Sequence, residues 1–295
     1  MSTVPHPRPA TGLALVPALL RLVRFTHTIF ALPFALAAAL MAEMTLPGLA
    51  VLGWILLAMV GARTLAMVLN RVLDADIDAA NPRTAGRELP AGAVRRSQAI
   101  TLGIASLAAL LLAVSRLPEE TWVLWPVPVA LFVLYPLAKR VTWACHLVLG
   151  ITIGIAPMGA WIAVTGELPL APILMGLAVA TWIAGFDVVN ALLDRDFDTA
   201  HGVNSIPARF GVAGALWWTR ALHLAAIALL AGAGAAAGSG AWYFLGVALC
   251  AGVLGLEAAL VRPHDTRRIQ IAFAQANGLL AVVYVAFVAL DVALM

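Results

Sequence analysis

Nine apolar blocks, each close to the length of a bilayer crossing, follow one another along this chain. They fall near residues 26–43, 49–71, 97–115, 120–137, 142–165, 168–193, 213–236, 240–260 and 270–293. A helix needs about 20 apolar residues to span a membrane, and helices satisfy their own backbone groups in lipid. A β-barrel would instead show alternating segments of about ten residues, and none occur. Charged residues make up 11% of the chain and hydrophobic ones 63%, against about 25% charged in a soluble domain. The expected fold is therefore all-α, a polytopic membrane bundle of nine transmembrane helices forming a single domain over residues 1–295. Residues 1–17 are polar and Pro-rich with no small-residue cleavage site, so no cleaved signal peptide is expected. Residues 18–24 resemble an amphipathic lead-in at the membrane surface. Cys145 and Cys250 lie in apolar blocks without metal-ligand spacing, which fits helix packing.

Charge orients the bundle. With nine spans, the N-terminus and the loops after the second, fourth, sixth and eighth share one side, which holds 15 of the 18 Lys and Arg residues, while the other side holds Arg116 alone. Arg63 and Arg220 fall inside spans. Basic loops stay cytoplasmic during insertion, so the N-terminus is expected inside, in the cell inner (plasma) membrane. No nucleic-acid motif accompanies the net charge of +3.

Two acidic stretches then stand out. The second span ends in Asn70-Arg71-Val72-Leu73-Asp74-Ala75-Asp76-Ile77-Asp78-Ala79-Ala80, and the sixth in Asn190-Ala191-Leu192-Leu193-Asp194-Arg195-Asp196-Phe197-Asp198-Thr199-Ala200. Both read N-x-x-L-D-x-D-x-D-x-A. Four spans separate them, which returns the chain to the same membrane face. At about 100° per residue, Asn70, Asp74 and Asp78 share one helical face, as do Asn190, Asp194 and Asp198. Asp76 and Asp196 should point away. Asp187 and Arg63 extend the two stripes deeper into the membrane. Stacked carboxylates repel each other, and ionisable groups at membrane depth are functional candidates by default. Magnesium suits them, because it takes hard oxygen ligands and shares them with phosphates. No His or Cys accompanies the carboxylates, which argues against zinc. Arg71, Arg195, Lys139 and Arg140 stand near the acids, and alternating charge around one rim suits a polyanion, although Lys139 and Arg140 also satisfy plain membrane topology. There is no P-loop motif.

The first acidic stretch resembles the N-R-x-x-D-x-x-x-D motif of the UbiA-type intramembrane prenyltransferases, carried here by Asn70, Arg71, Asp74 and Asp78. The second is similar to that family's D-x-x-Y-x-x-x-D-x-x-x-D motif through Asp187, Asp194 and Asp198, with Asn190 where the family usually has tyrosine. The stretch 83–92 resembles the family's loop after the first motif, and Tyr135-Pro136 with Lys139-Arg140 its fourth-helix end. Residues 24–34 and 200–211 look closer to the 4-hydroxybenzoate polyprenyltransferase-like branch, which includes the futalosine-route menaquinone enzyme.

The resemblance implies a central cavity open to lipid and transfer of a polyprenyl group from polyprenyl diphosphate to a small aromatic acceptor. It implies Mg2+ held by Asp74, Asp78, Asp194 and Asp198, with Asn70 and Asn190 assisting and Arg71, Arg195, Lys139, Arg140 and Tyr135 around the diphosphate. Asp187 is the candidate for steering the acceptor or taking its proton. Arg63 either binds an acceptor carboxylate or pairs internally, with Asp187 as one partner. His27 and His201 are more readily structural. The loops at 79–96 and 199–212 resemble lids. A naphthoate, a tetrapyrrole or a glycerol phosphate as acceptor would use the same diphosphate end. A transporter is the main rival from another class, but carriers place their charges near the midplane, whereas these acids lie at one end; a structural or assembly membrane protein, which would tolerate loss of the aspartates, is the second.

Overall fold

The computed structural model describes residues 9–24, 32–260 and 277–295. Among these the chain is helical, without a strand. A short surface helix, α1 (Leu15–Leu22), precedes α2 (Leu32–Glu43) and α3 (Leu49–Leu73). After a break come α4 (Ala75–Ala80), α5 (Arg96–Val114), α6 (Glu119–Leu124), α7 (Pro126–Val141), α8 (Cys145–Thr165) and α9 (Leu170–Ala191). The chain closes with α10 (Arg195–His201), α11 (Ile206–Ala237), α12 (Ala241–Leu260) and α13 (Asn277–Leu294).

Seven segments among the described residues are long and apolar enough to cross a membrane: α3, α5, the α6–α7 pair, α8, α9, α11 and α12. The chain is an integral membrane protein. The blocks expected at 26–43 and 270–293 contain α2 and α13, which are shorter apolar helices, and parts of both blocks lie outside the described residues. His27 lies there too. The block expected at 213–236 is the inner part of a longer helix. Gly211 sits at φ 66 inside α11 and kinks it, a left-handed conformation that glycine adopts without a Cβ clash.

The bundle centres on α9, the most buried of the spans. It packs against α8 on one side and α11 on the other. The α8 contact is close because Gly150 and Gly154 face the backbone carbonyls of Ala180 and Gly176, which a Cβ at either position would strike. Small residues one helical turn apart let membrane helices approach in this way. An aromatic cluster joins the two ends of the chain. Phe34 of α2 lies 5.1 Å from the Trp182 ring and 5.0 Å from the Tyr284 ring, and the hydroxyls of Tyr243 and Tyr284 are 3.0 Å apart.

The C-terminal ends of α3, α7 and α9 meet at one end of the bundle. Arg140 Nη2 donates to the Leu73 carbonyl at 2.6 Å, and Asn204 N donates to the Lys139 carbonyl at 2.8 Å. Asn81 Nδ2, just after α4, reaches Asp194 Oδ1 at 2.9 Å. Both acidic motifs therefore stand at the same end, as their four-span separation requires.

Candidate active site

Each acidic motif marks a break in its helix. The helix stops at Leu73, Asp74 takes φ −95 and ψ 2, and α4 resumes at Ala75. In the second motif α9 stops at Ala191, Asp194 takes φ −106 and ψ −2, and α10 starts at Arg195. In the first motif the i, i+4 register survives the break, because Asp74 N bonds the Asn70 carbonyl at 2.9 Å and Asp78 N the Asp74 carbonyl at 2.8 Å. In the second the turn tightens, with Asp194 N on the Ala191 carbonyl at 3.0 Å, and i, i+4 resumes with Asp198 N on the Asp194 carbonyl at 2.8 Å. Asp78 and Asp198 consequently point inward and are buried, whereas Asp76 and Asp196 are exposed.

Behind the carboxylates lies a cavity of about 600 Å3. Its polar end is lined by Asn70, Arg71, Asp74, Asp78, Lys139, Asn190, Asp194 and Asp198, with Arg63, Tyr135 and Asp187 on its walls. Its far end is apolar, bounded by residues such as Ile55, Leu117, Phe132 and Ile162. A largely apolar pocket with a few convergent polar groups is the usual form of a small-molecule site.

Basic side chains meet both inward carboxylates of the first motif, Asp74 and Asp78. Lys139 Nζ is 2.6 Å from Asp74 Oδ2, and Asn70 Nδ2 donates to the same oxygen at 2.8 Å. Arg87 Nη1 donates to Asp78 Oδ1 at 2.7 Å, while Arg71 Nη1 stands 3.8 Å from Asp78 Oδ2. In the second motif Arg83 Nε donates to Asp194 Oδ1 at 2.6 Å, and its Nη2 pairs with Oδ2. Burial pushes Asp74 above the usual carboxylate range despite Lys139 beside it. Burial, with Asp194 nearby, pushes Asp198 up to about 6 against a hydrogen bond from Ser205.

These residues fit a divalent cation by donor chemistry. Asp74 Oδ1 is buried without a hydrogen-bond partner, an acceptor that a hard cation or its bound water would satisfy. Among the described residues no three His, Cys, Asp or Glu side chains stand together as a complete metal cage. Two or more aspartates on facing helix ends, completed by phosphate oxygens, suit magnesium better than an all-protein cage does.

Two expected site residues do not line the cavity. Arg195 turns outward and pairs with exposed Asp196 at 2.6 Å, because the residue next to Asp194 points about 100° away on a helical turn. Arg140 instead bonds the α3 terminus. Asp187 does not pair with Arg63; its partner is His146, at 2.7 Å. No described residue forms a hydrogen bond or ion pair with Arg63. His201 stacks on Phe197 at 4.0 Å, a structural contact.

Arg83, Arg87, Asn81 and His146 were not among the expected site residues. The two arginines had a signal, since Arg83-Thr84-Ala85-Gly86-Arg87 directly follows the first acidic motif. His146 had none, since its partner is 41 residues away.

A membrane-spanning bundle that encloses a chamber with carboxylates and cations at one end and apolar walls beyond has the form of a site for an amphipathic, anionic ligand. Residues 31–286 match the UbiA prenyltransferase family, and the chain belongs to that family. It is 33% identical over 290 residues to the 4-hydroxybenzoate octaprenyltransferase of Aromatoleum aromaticum, covering 95% of this chain and 96% of the relative. It is 39% identical over 180 residues to the 4-hydroxybenzoate solanesyltransferase of Synechocystis, covering 60% of this chain and 61% of that protein. Among solved structures, the apo form of a UbiA homolog from Aeropyrum pernix K1 superposes with a TM-score of 0.82 at 36% identity, covering 90% of this chain and 98% of that one. A UbiA homolog from Archaeoglobus fulgidus, bound to DMAPP and Mg2+, shares the fold at a TM-score of 0.67 and 16% identity, covering 94% of this chain and 100% of that one.

Proposed function

We propose that this chain transfers a polyprenyl group from polyprenyl diphosphate to a small aromatic acceptor of the 4-hydroxybenzoate type, with Mg2+ as cofactor, in quinone biosynthesis. The observation that carries this reading is the chamber itself, with opposed Asp74–Asp78 and Asp194–Asp198 pairs at its polar end and apolar walls beyond. The names of the relatives supply the acceptor class.

Asp74, Asp78, Asp194 and Asp198 would hold the magnesium. When bound, it would offset the charge that grows on the leaving diphosphate. Arg71, Arg83, Arg87 and Lys139 already stand within ion-pair distance of these carboxylates and offer the same cationic groups to phosphate oxygens. Preorganised charge of this kind is commonly the largest catalytic contribution. Asn70 holds Asp74 in place, and Asn190, which lines the chamber, would serve as a phosphate or water donor. Tyr135 adds a hydroxyl on the α7 wall. The apolar far end receives the isoprenoid tail and keeps water from the allylic cation. An electron-rich ring carbon attacks that cation, and the ring proton must pass to a base, for which Asp187 on the chamber wall is the candidate. Arg63, on the chamber wall, would take an acceptor carboxylate.

The remaining proposals concern the membrane. The blocks at 26–43 and 270–293 complete nine spans around the chamber. The polar end faces the cytoplasm in the inner membrane, because the basic residues gather there and basic loops are retained inside.

The test is direct. Purified protein given a polyprenyl diphosphate, 4-hydroxybenzoate and Mg2+ releases pyrophosphate and forms a prenylated ring, and chelation stops it. Intact turnover in both Asp74→Ala and Asp194→Ala would overturn the metal assignment.

A further inference from the structure

One ion pair in the chamber involves none of the four aspartates at its mouth. His146 lies in the first turn of α8 and Asp187 near the end of α9, and both line the cavity. His146 Nδ1 is 2.7 Å from Asp187 Oδ2. The His146 side chain is 4% exposed, while that of Asp187 is 23% exposed. His146 Nε2 is buried and has no hydrogen-bond partner.

That difference in exposure assigns the roles. In a serine-protease triad the imidazole faces the substrate and the buried carboxylate orients it. Here the order is reversed: the carboxylate faces the chamber and the imidazole sits behind it. A carboxylate opening into an apolar cavity can swing among rotamers unless one oxygen is tied. The tie is rigid because α8 and α9 are locked together by the close approach at Gly150 and Gly154. The α8 start is also fixed, with Cys145 Sγ donating to the Asn204 carbonyl at 3.3 Å.

We propose that His146 is the positioning residue for the acceptor half of the reaction, donating from Nδ1 to Asp187 Oδ2 so that Asp187 Oδ1 is aimed at the bound aromatic ring. This rests on the prenyl-transfer reading above. In the step concerned, the allylic C–O bond breaks with its electron pair leaving on the diphosphate. The new C–C bond forms from the ring π electrons, and the ring proton passes to Asp187 Oδ1. His146, almost fully buried at the cavity wall, acts through Asp187: it sets where the accepting oxygen stands. Positioning of this sort concerns acceptor use and leaves diphosphate binding untouched, because the pair is distinct from the carboxylates at the mouth.

The experiment uses full-length wild type, His146→Ala and His146→Asn in detergent, with polyprenyl diphosphate and 4-hydroxybenzoate varied separately. A ring-deuterated acceptor is run in parallel. In His146→Ala the acceptor kcat/KM falls by about 10²-fold, the range for a misplaced proton acceptor, while the KM for polyprenyl diphosphate stays within about twofold. The deuterium effect on kcat rises above the wild-type value because proton removal becomes limiting. His146→Asn, whose amide can donate from near the Nδ1 position, recovers most of the loss. Equal losses on both substrates without rescue by asparagine, or an unchanged isotope effect in both variants, would overturn the assignment. Should His146→Ala fail to fold, the isotope effect and acceptor KM of His146→Asn decide the matter, since they must stay near wild type. Wild-type protein that turns over no aromatic acceptor would instead overturn the prenyl-transfer reading itself.

Discussion

Asp74 and Asp194 occupy the same place in two copies of one sequence pattern, yet their surroundings differ. The Asp74 side chain is 3% exposed and held by Lys139 and Asn70, from α7 and its own helix. That of Asp194 is 16% exposed and held by Arg83 and Asn81, which belong to the loop that follows the first motif. The first motif is thus braced from within its own half of the chain, while the second is braced by residues more than 100 positions earlier. The repeat supplies two similar carboxylate ladders, and the loop at 81–87 ties them into one mouth. A cation clamp of this kind places positive charge between acids that would otherwise repel each other, and it presents that charge to any phosphate that enters.

The largest expected effect treats the motifs alike. Asp74→Ala and Asp194→Ala each reduce magnesium-dependent turnover by at least roughly 10²–10³-fold, measured as pyrophosphate release, with normal membrane expression. A large loss in one and a small loss in the other would mean that a single motif carries the metal.

Asn70 and Asn190 should then separate the motifs. Asn70→Ala removes a 2.8 Å hydrogen bond to Asp74 and should raise the Mg2+ concentration for half-activation about tenfold, in line with a bond to a charged group. Asn190→Ala should leave that concentration nearly unchanged and raise the KM for polyprenyl diphosphate. Equal metal dependence in the two variants would break the distinction.

Arg83→Ala tests the clamp. The guanidinium is about one-third exposed, so its loss should lower the Tm only slightly, as for other accessible ion pairs. It should weaken polyprenyl diphosphate binding several-fold by direct titration. Arg83→Lys, a point charge in place of a planar fork, should recover only part of this.

The smallest effect concerns pH. Asp198 is pushed up to about 6, so the metal-free fold binds that proton more tightly than the unfolded chain does. Its contribution therefore favours the fold at about pH 4 and is lost as pH rises through 6. Asp198→Asn should remove that component, measured as the difference in Tm between wild type and variant at pH 5 and pH 7 without metal. Magnesium, competing with the same proton, should activate wild type less well below pH 6.

Particular residues show how far the sequence could be read. The i, i+4 spacing turned Asp74 and Asp78 one way, Asp194 and Asp198 likewise, and Asp76 and Asp196 away, because the i, i+4 bond holds within each aspartate pair even though the turn before Asp194 is tighter. Arg195 misled because adjacency in sequence to Asp194 says nothing of which side of a turn a residue takes. Arg83 and Arg87 lie in an irregular loop with no period from which to infer a direction. His146 answers to Asp187 through the α8–α9 packing, a tertiary contact that neither residue's neighbours encode. The apolar blocks gave the bundle, but block length alone could not reveal that α11 starts at Ile206 and kinks at Gly211.

The most direct test is metal binding to purified protein, followed by the electron paramagnetic resonance of Mn2+ in place of Mg2+, with and without a non-reactive polyprenyl diphosphate analogue. If the two acidic helix ends share their cation with a phosphorylated lipid, tight Mn2+ binding requires the analogue and disappears in both Asp74→Asn and Asp194→Asn. Tight binding without the analogue, or its survival in either variant, would contradict the account.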